Sequence, residues 1–122
     1  MEPRQAVTIF EALSSDVRLS LFRLLVKYAP EGLVAGEIAK YLNVTNTNLS
    51  FHLKTLLYTG LITMEKEGRF LRYRADISVM LDTIAYLTAE CCSGHPEQCF
   101  NDSVASSVSL AVLSECGSAK KK

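Results

Sequence analysis

The sequence predicts a mainly α-helical fold that carries one β-hairpin. Apolar residues recur at helical spacing in five segments, and strict alternation replaces that spacing only between Leu61 and Asp76. The chain has 122 residues, enough for one domain and a tail. Because it has no apolar run long enough to cross a membrane and no signal-peptide pattern, we expect a globular, cytoplasmic protein that does not enter a membrane.

The first helices are marked by the residues at their ends. The stretch "SSDVRLSLFRLLVKYA" has an apolar stripe that Ser14 or Ser15 can cap, and the turn at residues 30–32 ends it. A shorter helix with Val7 and Phe10 fits the segment before it. A brief helix within "VAGEIAKYLNV" follows the turn, and Asn43 suits its C-terminal end.

The segment "TNTNLSFHLKTLLYTG" predicts the second of two neighbouring short helices. Thr45 or Asn46 can cap it, its leucines form one apolar stripe, and Gly60 is placed to end it in the left-handed conformation. Two short helices joined by three or four residues are a candidate helix-turn-helix.

A hairpin follows this pair of helices. The stretch "LITMEKEGRFLRYRAD" alternates on both sides of a turn at Glu67 and Gly68, which predicts two strands with Arg69, Arg72 and Arg74 on them. A helix-turn-helix followed by a hairpin is a winged helix, a fold that binds DNA.

Charge and side-chain chemistry also favour DNA. The formal net charge is zero, yet residues 45–74 carry five basic side chains against two acidic ones, a local +3. With its leucines facing the core, the helix near Asn46 turns amides, hydroxyls and one lysine outward, and these groups can bond to base edges and phosphates. The sequence therefore predicts contacts to double-stranded DNA from Asn46, Thr47, Asn48, Ser50, Phe51, His52, Lys54, Arg69 and Arg72.

Other interpretations of these residues remain open. Polar residues near a helix start are also common caps, and arginines on an edge hairpin also keep it soluble. His52 fits a packed or capping imidazole as readily as a phosphate contact. A winged helix that binds only other proteins is a further alternative.

Three segments resemble the ArsR/SmtB family of winged-helix repressors. They are "SSDVRLSLFRLLV", "GEIAKYLNVTNTNLSFHLKTLLYTGLI" and "KEGRFLRYRAD", and the resemblance runs from about Phe10 to Glu90. The stretch "LSFHLKTLLYTGLI" is the most specific, since it resembles the family's Ser-x-His-Leu and Gly-Leu pattern. The resemblance implies a homodimer, held by the first and last helices, that leaves its operator when an inducer binds.

A last amphipathic helix within "SVMLDTIAYLTAECC" is one such dimerisation helix, and Gly94 and Pro96 must end it. We therefore expect residues 1–90 to form a winged helix-turn-helix domain for DNA binding and dimerisation. Residues 91–122 are expected to form a cysteine-containing inducer-binding segment and a flexible tail.

The cysteines of "ECCSGHPEQC" indicate the inducer. The family's arsenic site before the recognition helix needs cysteines that this chain lacks there, and its zinc site on the last helix needs histidines that are also absent. A third arrangement, an arsenic-responsive repressor with a Cys-Cys pair and a third cysteine, is similar to Cys91, Cys92 and Cys99. Soft thiolates select soft, thiophilic As(III) or Sb(III). We expect no permanent cofactor.

Three alternatives for this cluster remain. Structural zinc could use His95 or Cys116 as a fourth ligand, although the usual Cys-x2-Cys spacing is absent. A thiol switch that responds to oxidants or persulfide is the second alternative. Inert surface or core cysteines are the third. An enzyme is disfavoured, because these thiols follow a helix C-terminus in a segment without Lys or Arg, where thiolates are not stabilised.

Overall fold

The computed structural model describes residues 1–90, which form five helices and a small three-stranded sheet. The predicted mainly α-helical fold with a hairpin is confirmed. The elements in chain order are α1 (Pro3–Leu13), α2 (Asp16–Lys27), β1 (Leu33–Val34), α3 (Ala35–Leu42), α4 (Asn46–Thr59), β2 (Ile62–Glu67), β3 (Phe70–Ala75) and α5 (Ile77–Leu87).

The chain divides into a unit of Met1–Thr83 and a unit of Ile84–Lys122. The second unit is described only over residues 84–90, which complete α5 and the turn after it. No helix within residues 1–90 has the length and apolarity that a bilayer crossing requires.

Helices α1 and α2 provide one side of the core. Ser15 caps α2 by accepting a hydrogen bond from the backbone N–H of Arg18, and Leu21 and Leu25 of α2 are fully buried. On α1 the buried side chains are smaller, with Ala6, Ile9 and Ala12 facing inward. Val7 and Phe10 of α1 are exposed instead, so they do not belong to the core of a single chain.

Helices α3 and α4 meet in a tight turn that the sequence predicted. Asn43 adopts the left-handed conformation at φ 54° after α3, and the hydroxyl of Thr45 accepts from the backbone N–H of Asn48 at 3.2 Å. Gly60 closes α4 at φ 83°. The arrangement is a helix-turn-helix whose second helix buries Leu53 and its leucine neighbours.

The sheet contains the predicted hairpin and one strand that the sequence pattern did not predict. Strands β2 and β3 pair antiparallel, with Glu67 opposite Phe70, so the turn lies at Gly68 and Arg69, one residue later than the predicted Glu67 and Gly68. The two-residue strand β1 pairs with the other edge of β3 through Leu33 and Tyr73, which gives the order β1-β3-β2. The helix-turn-helix is thus hydrogen-bonded to the hairpin through the residues before α3.

Helix α5 starts one residue after β3. The intervening Asp76 caps it, since its carboxylate accepts from the backbone N–H groups of Ser78 and Val79, while its own N–H donates to Leu61 at 2.8 Å. The helix ends at Leu87, so the prediction that Gly94 and Pro96 end it was wrong. The apolar pattern reaches beyond Leu87, but residues 88–90 form turns.

Candidate nucleic-acid interface

The outward face of α4 carries most of the predicted DNA contacts. Leu49, Leu53 and Leu56 are buried, which fixes the rotation of the helix and turns its opposite face to solvent. The predicted residues that this face exposes are Asn46, Thr47, Asn48, Ser50, Phe51 and Lys54. The face therefore combines amides, hydroxyls, one aromatic ring and one cation, with no carboxylate on α4.

His52 is placed differently from these residues. It is partly buried, and its Nδ1 lies 3.2 Å from the Arg18 guanidinium. Arg18 also donates from Nε to the carbonyl of Ala12 at 2.6 Å, at the end of α1. Burial, and next the charge of Arg18, lower the pKa of His52 below its ordinary value. The geometry favours the packed imidazole, although the Nε2 side of the ring remains a candidate DNA contact.

The wing, which we define as β2, β3 and the turn between them, holds two of its arginines in ion pairs. Arg72 donates from Nε to both carboxylate oxygens of Glu67, at 2.9 and 3.0 Å, and Arg74 donates to Glu65 at 2.5 Å. The hydrogen bond with Glu67 raises the pKa of Arg72. Arg72 also donates to the carbonyl of Gly32 at 3.2 Å. Its charge is compensated in the free protein, and its role as a DNA contact stays a prediction.

The cations near the tip of the wing are placed differently. Lys66 near the end of β2 and Arg69 in the turn are both exposed, and neither forms an ion pair with another residue of the described range. Their charges are free to approach phosphates. Of the predicted wing contacts, Arg69 therefore has the more favourable placement.

Sequence reasoning missed Arg18 as part of this site, and it missed the pairing of the wing charges. The signal for the wing was present, because alternation puts Glu65, Glu67, Arg72 and Arg74 on one face of a hairpin, where diagonal neighbours can pair. No comparable local signal identifies Arg18. Its partner His52 is 34 positions away, and only the packing of α2 against α4 brings the two together.

The metal-binding prediction lies outside the described residues. Cys91, Cys92 and Cys99 follow residue 90, as does Cys116. Within residues 1–90, no three His, Cys, Asp or Glu side chains lie close enough together to hold a metal ion. The prediction of a metal site at these cysteines therefore stays a prediction.

Known proteins are similar in sequence to the helix-turn-helix part of this chain. The model of a helix-turn-helix domain family matches residues 13–65. An uncharacterized HTH-type transcriptional regulator of Bacillus subtilis, YceK, is 39% identical over 50% of this chain and 60% of its own length. A second, YbzH, is 31% identical over 62% of this chain and 85% of its length. The transcriptional repressor SdpR of the same organism is 28% identical over 65% and 84%.

Solved structures share the fold. The ArsR-like transcriptional regulator of Rhodococcus sp. RHA1 is 28% identical with a TM-score of 0.62, over 69% of this chain and 76% of that one. This chain is an HTH-type transcriptional regulator with the winged-helix fold of ArsR-like proteins. Reduced HlyU of Vibrio cholerae is 25% identical with a TM-score of 0.54, and the similarity extends over 69% of the regulator and 88% of the HlyU chain. The regulator thus belongs to a class of DNA-binding proteins that are not enzymes.

Proposed function

We propose that this regulator is an arsenite- and antimonite-responsive repressor that binds operator DNA as a homodimer. The observation that carries the DNA-binding part is the exposed face of α4, which presents hydrogen-bonding groups and Lys54 without an opposing carboxylate. In helix-turn-helix proteins the second helix enters the major groove with its N-terminal residues at the base edges. Helix α4 is that helix here, and the tip of the wing lies along the adjacent backbone.

Dimerisation is supported by apolar side chains that a single chain leaves exposed. On α1, Val7 is 55% and Phe10 is 42% exposed. On the last turns of α5, Ile84 and Leu87 are also exposed. Exposed apolar residues on the helices that dimerise in the family fit pairing of two copies. Two copies place two α4 helices on half-sites about 34 Å apart, or a multiple of that distance.

Release of the DNA is assigned to the thiols of Cys91, Cys92 and Cys99. Trivalent arsenic and antimony are soft centres that bind thiolates in preference to hard donors, and three sulfurs complete their coordination. The segment begins four positions after α5 ends. Ligation there changes the dimer helix, and a coupling of about 1–3 kcal/mol lowers operator affinity between several-fold and a hundredfold.

A single titration tests this function. Reduced full-length protein is added to a fluorescent duplex from upstream of its own gene, and anisotropy is followed at low salt while arsenite, zinc or peroxide is added in parallel. We expect binding without effector and release by arsenite at stoichiometric concentration. Absence of binding at low salt would refute the DNA-binding part and favour a protein-interaction module.

Serine variants separate DNA binding from the response to arsenite. Cys91→Ser, Cys92→Ser and Cys99→Ser should each bind the duplex normally and resist arsenite, and Cys116→Ser serves as the matched control that still responds. Loss of DNA binding in the Cys92→Ser protein would contradict this division of roles.

A thiol-based redox or persulfide sensor of the same fold is the second candidate. It is favoured by the adjacent pair Cys91 and Cys92, because reactive cysteines occur in near pairs, and by the likeness to HlyU, which has been solved in a reduced form. Release by peroxide or persulfide that dithiothreitol reverses, together with indifference to arsenite, would select this candidate.

A further inference from the structure

Phe51 is an exposed aromatic residue in the middle of the DNA-facing side of α4. Its side chain is 64% exposed, although it lies two residues from each of the buried Leu49 and Leu53. Two helical residues correspond to about 200° of rotation, so Phe51 is nearly opposite the core. A large apolar side chain in this position is not packed against the core of the single chain, so its surface is available for contact with a ligand.

The ring of Phe51 is supported from one side. It meets the His52 ring edge to face, with the centroids 5.6 Å apart and the planes at 68°. His52 is in turn held by the guanidinium of Arg18 at 3.2 Å. The ring is therefore braced on α4, and less side-chain entropy is lost when it makes a contact.

The side-chain types on α4 indicate which base Phe51 would contact. Thymine is the base with a methyl group in the major groove, and apolar side chains recognise it by contact with that group. Guanine is most often read by an arginine or a lysine and cytosine by a carboxylate; α4 has no arginine and no carboxylate, and Lys54 is its one lysine. Asn48, exposed one turn before Phe51, has the amide that reads adenine.

We infer that Phe51 is a specificity-determining residue that contacts the C5-methyl group of a thymine in each operator half-site. The inference rests on the proposed DNA-binding function and adds to it the identity of one base. A second copy of the chain is the competing occupant, but Phe51 shares its face with hydrogen-bonding groups and Lys54, which suit a polyanion better than an apolar interface.

The test removes one methyl group at a time. A duplex is first selected from a randomised library by the reduced full-length protein, and each thymine is then replaced singly by deoxyuridine. At one position in each half-site we expect affinity to fall about fourfold, the effect of one apolar carbon group withdrawn from contact. Uracil pairs with adenine as thymine does, so the change leaves base pairing intact.

Protein variants complete a double-mutant cycle. Phe51→Ala should bind the thymine duplex about fourfold more weakly per half-site and lose nothing further on the uracil duplex, while Phe51→Leu retains part of the discrimination. Phe70→Ala is the matched control, because Phe70 is 63% exposed but lies in the wing, and it should respond to uracil as the unaltered protein does. Equal melting temperatures will show that these surface variants are folded.

Two negative results have different meanings. If the protein binds the selected duplex but every uracil substitution is neutral, or if Phe51→Ala still discriminates, the inference about Phe51 is overturned and the proposed DNA binding stands. If no duplex is enriched and none binds at low salt, the proposed function fails as well.

Discussion

The guanidinium of Arg18 lies 3.2 Å from Nδ1 of His52 and connects α2 to the DNA-facing helix α4. A guanidinium can only donate, so Nδ1 accepts, and the neutral imidazole carries its proton on Nε2. Arg18 also donates to Ala12 at the end of α1. Three helices thus meet at one side chain, and the protonation state of His52 decides whether the contact to α4 persists.

The first prediction concerns pH. The pKa of His52 is lowered from 6.5 in the folded state, so between that lowered pKa and 6.5 the unfolded chain binds more protons than the folded one. The free energy of unfolding is therefore highest above pH 6.5 and declines as the pH falls through 6.5 toward the folded pKa. His52→Gln should flatten this decline in urea titrations. An unaltered slope in His52→Gln would contradict the assignment.

The second prediction concerns Gly32. This residue is buried at φ 76°, and a Cβ there would collide with the backbone carbonyl of Tyr73. We expect Gly32→Ala to lower the free energy of unfolding by about 3 kcal/mol, because left-handed strain and the clash with a strand add together. Gly36→Ala is the control, since Gly36 lies in α3 with open space around it and should gain about 0.5–1 kcal/mol. Chemical denaturation measures both, and equal stabilities would refute the argument.

The third prediction separates the two wing arginines. Arg69→Ala should reduce the slope of log affinity against log salt by about one, because one phosphate contact is lost, with no change in melting temperature. Arg72→Ala should lower the melting temperature, since Glu67 and the carbonyl of Gly32 lose their donor, with a smaller effect on the salt slope. Equal slope changes in the two variants would establish Arg72 as a phosphate contact.

The fourth prediction concerns the dimer. Phe10→Glu places a charge on the exposed apolar side of α1, and burial of that charge between two copies would be unfavourable. We expect a monomer in analytical ultracentrifugation and a loss of operator affinity of about a hundredfold, because one half-site contact remains. Leu19→Glu is the matched control, with 44% exposure against 42% for Phe10. Dimerisation that survives in Phe10→Glu would exclude α1 as the interface.

Local chemistry explains what could be predicted from the sequence. Helix ends are recognised from a few neighbouring positions: of the two candidate caps predicted for each helix, Ser15 and Thr45 are the ones used, and Asn43 and Gly60 end their helices as predicted. The alternation that predicts the hairpin is equally local. The side of α4 that faces solvent also followed from its leucine stripe.

Contacts between distant positions explain what could not be predicted. Strand β1 has two residues and exists because Leu33 meets Tyr73, 40 positions later, which no periodicity reveals. The hydrogen bond from Arg72 to the carbonyl of Gly32 likewise joins positions 40 residues apart. The roles of the exposed residues on α4 in reading DNA remain predictions, because a surface becomes a contact only when its ligand is bound.

Asp76 is the single residue between the wing and α5, so the connection between them is short. Its backbone N–H donates to the carbonyl of Leu61, just before β2, and its carboxylate accepts from the first turn of α5. These hydrogen bonds connect the start of α5 to the base of the hairpin. A rotation of the first turn of α5 would accordingly displace the base of the wing as well, because the hydrogen bonds of Asp76 join the two.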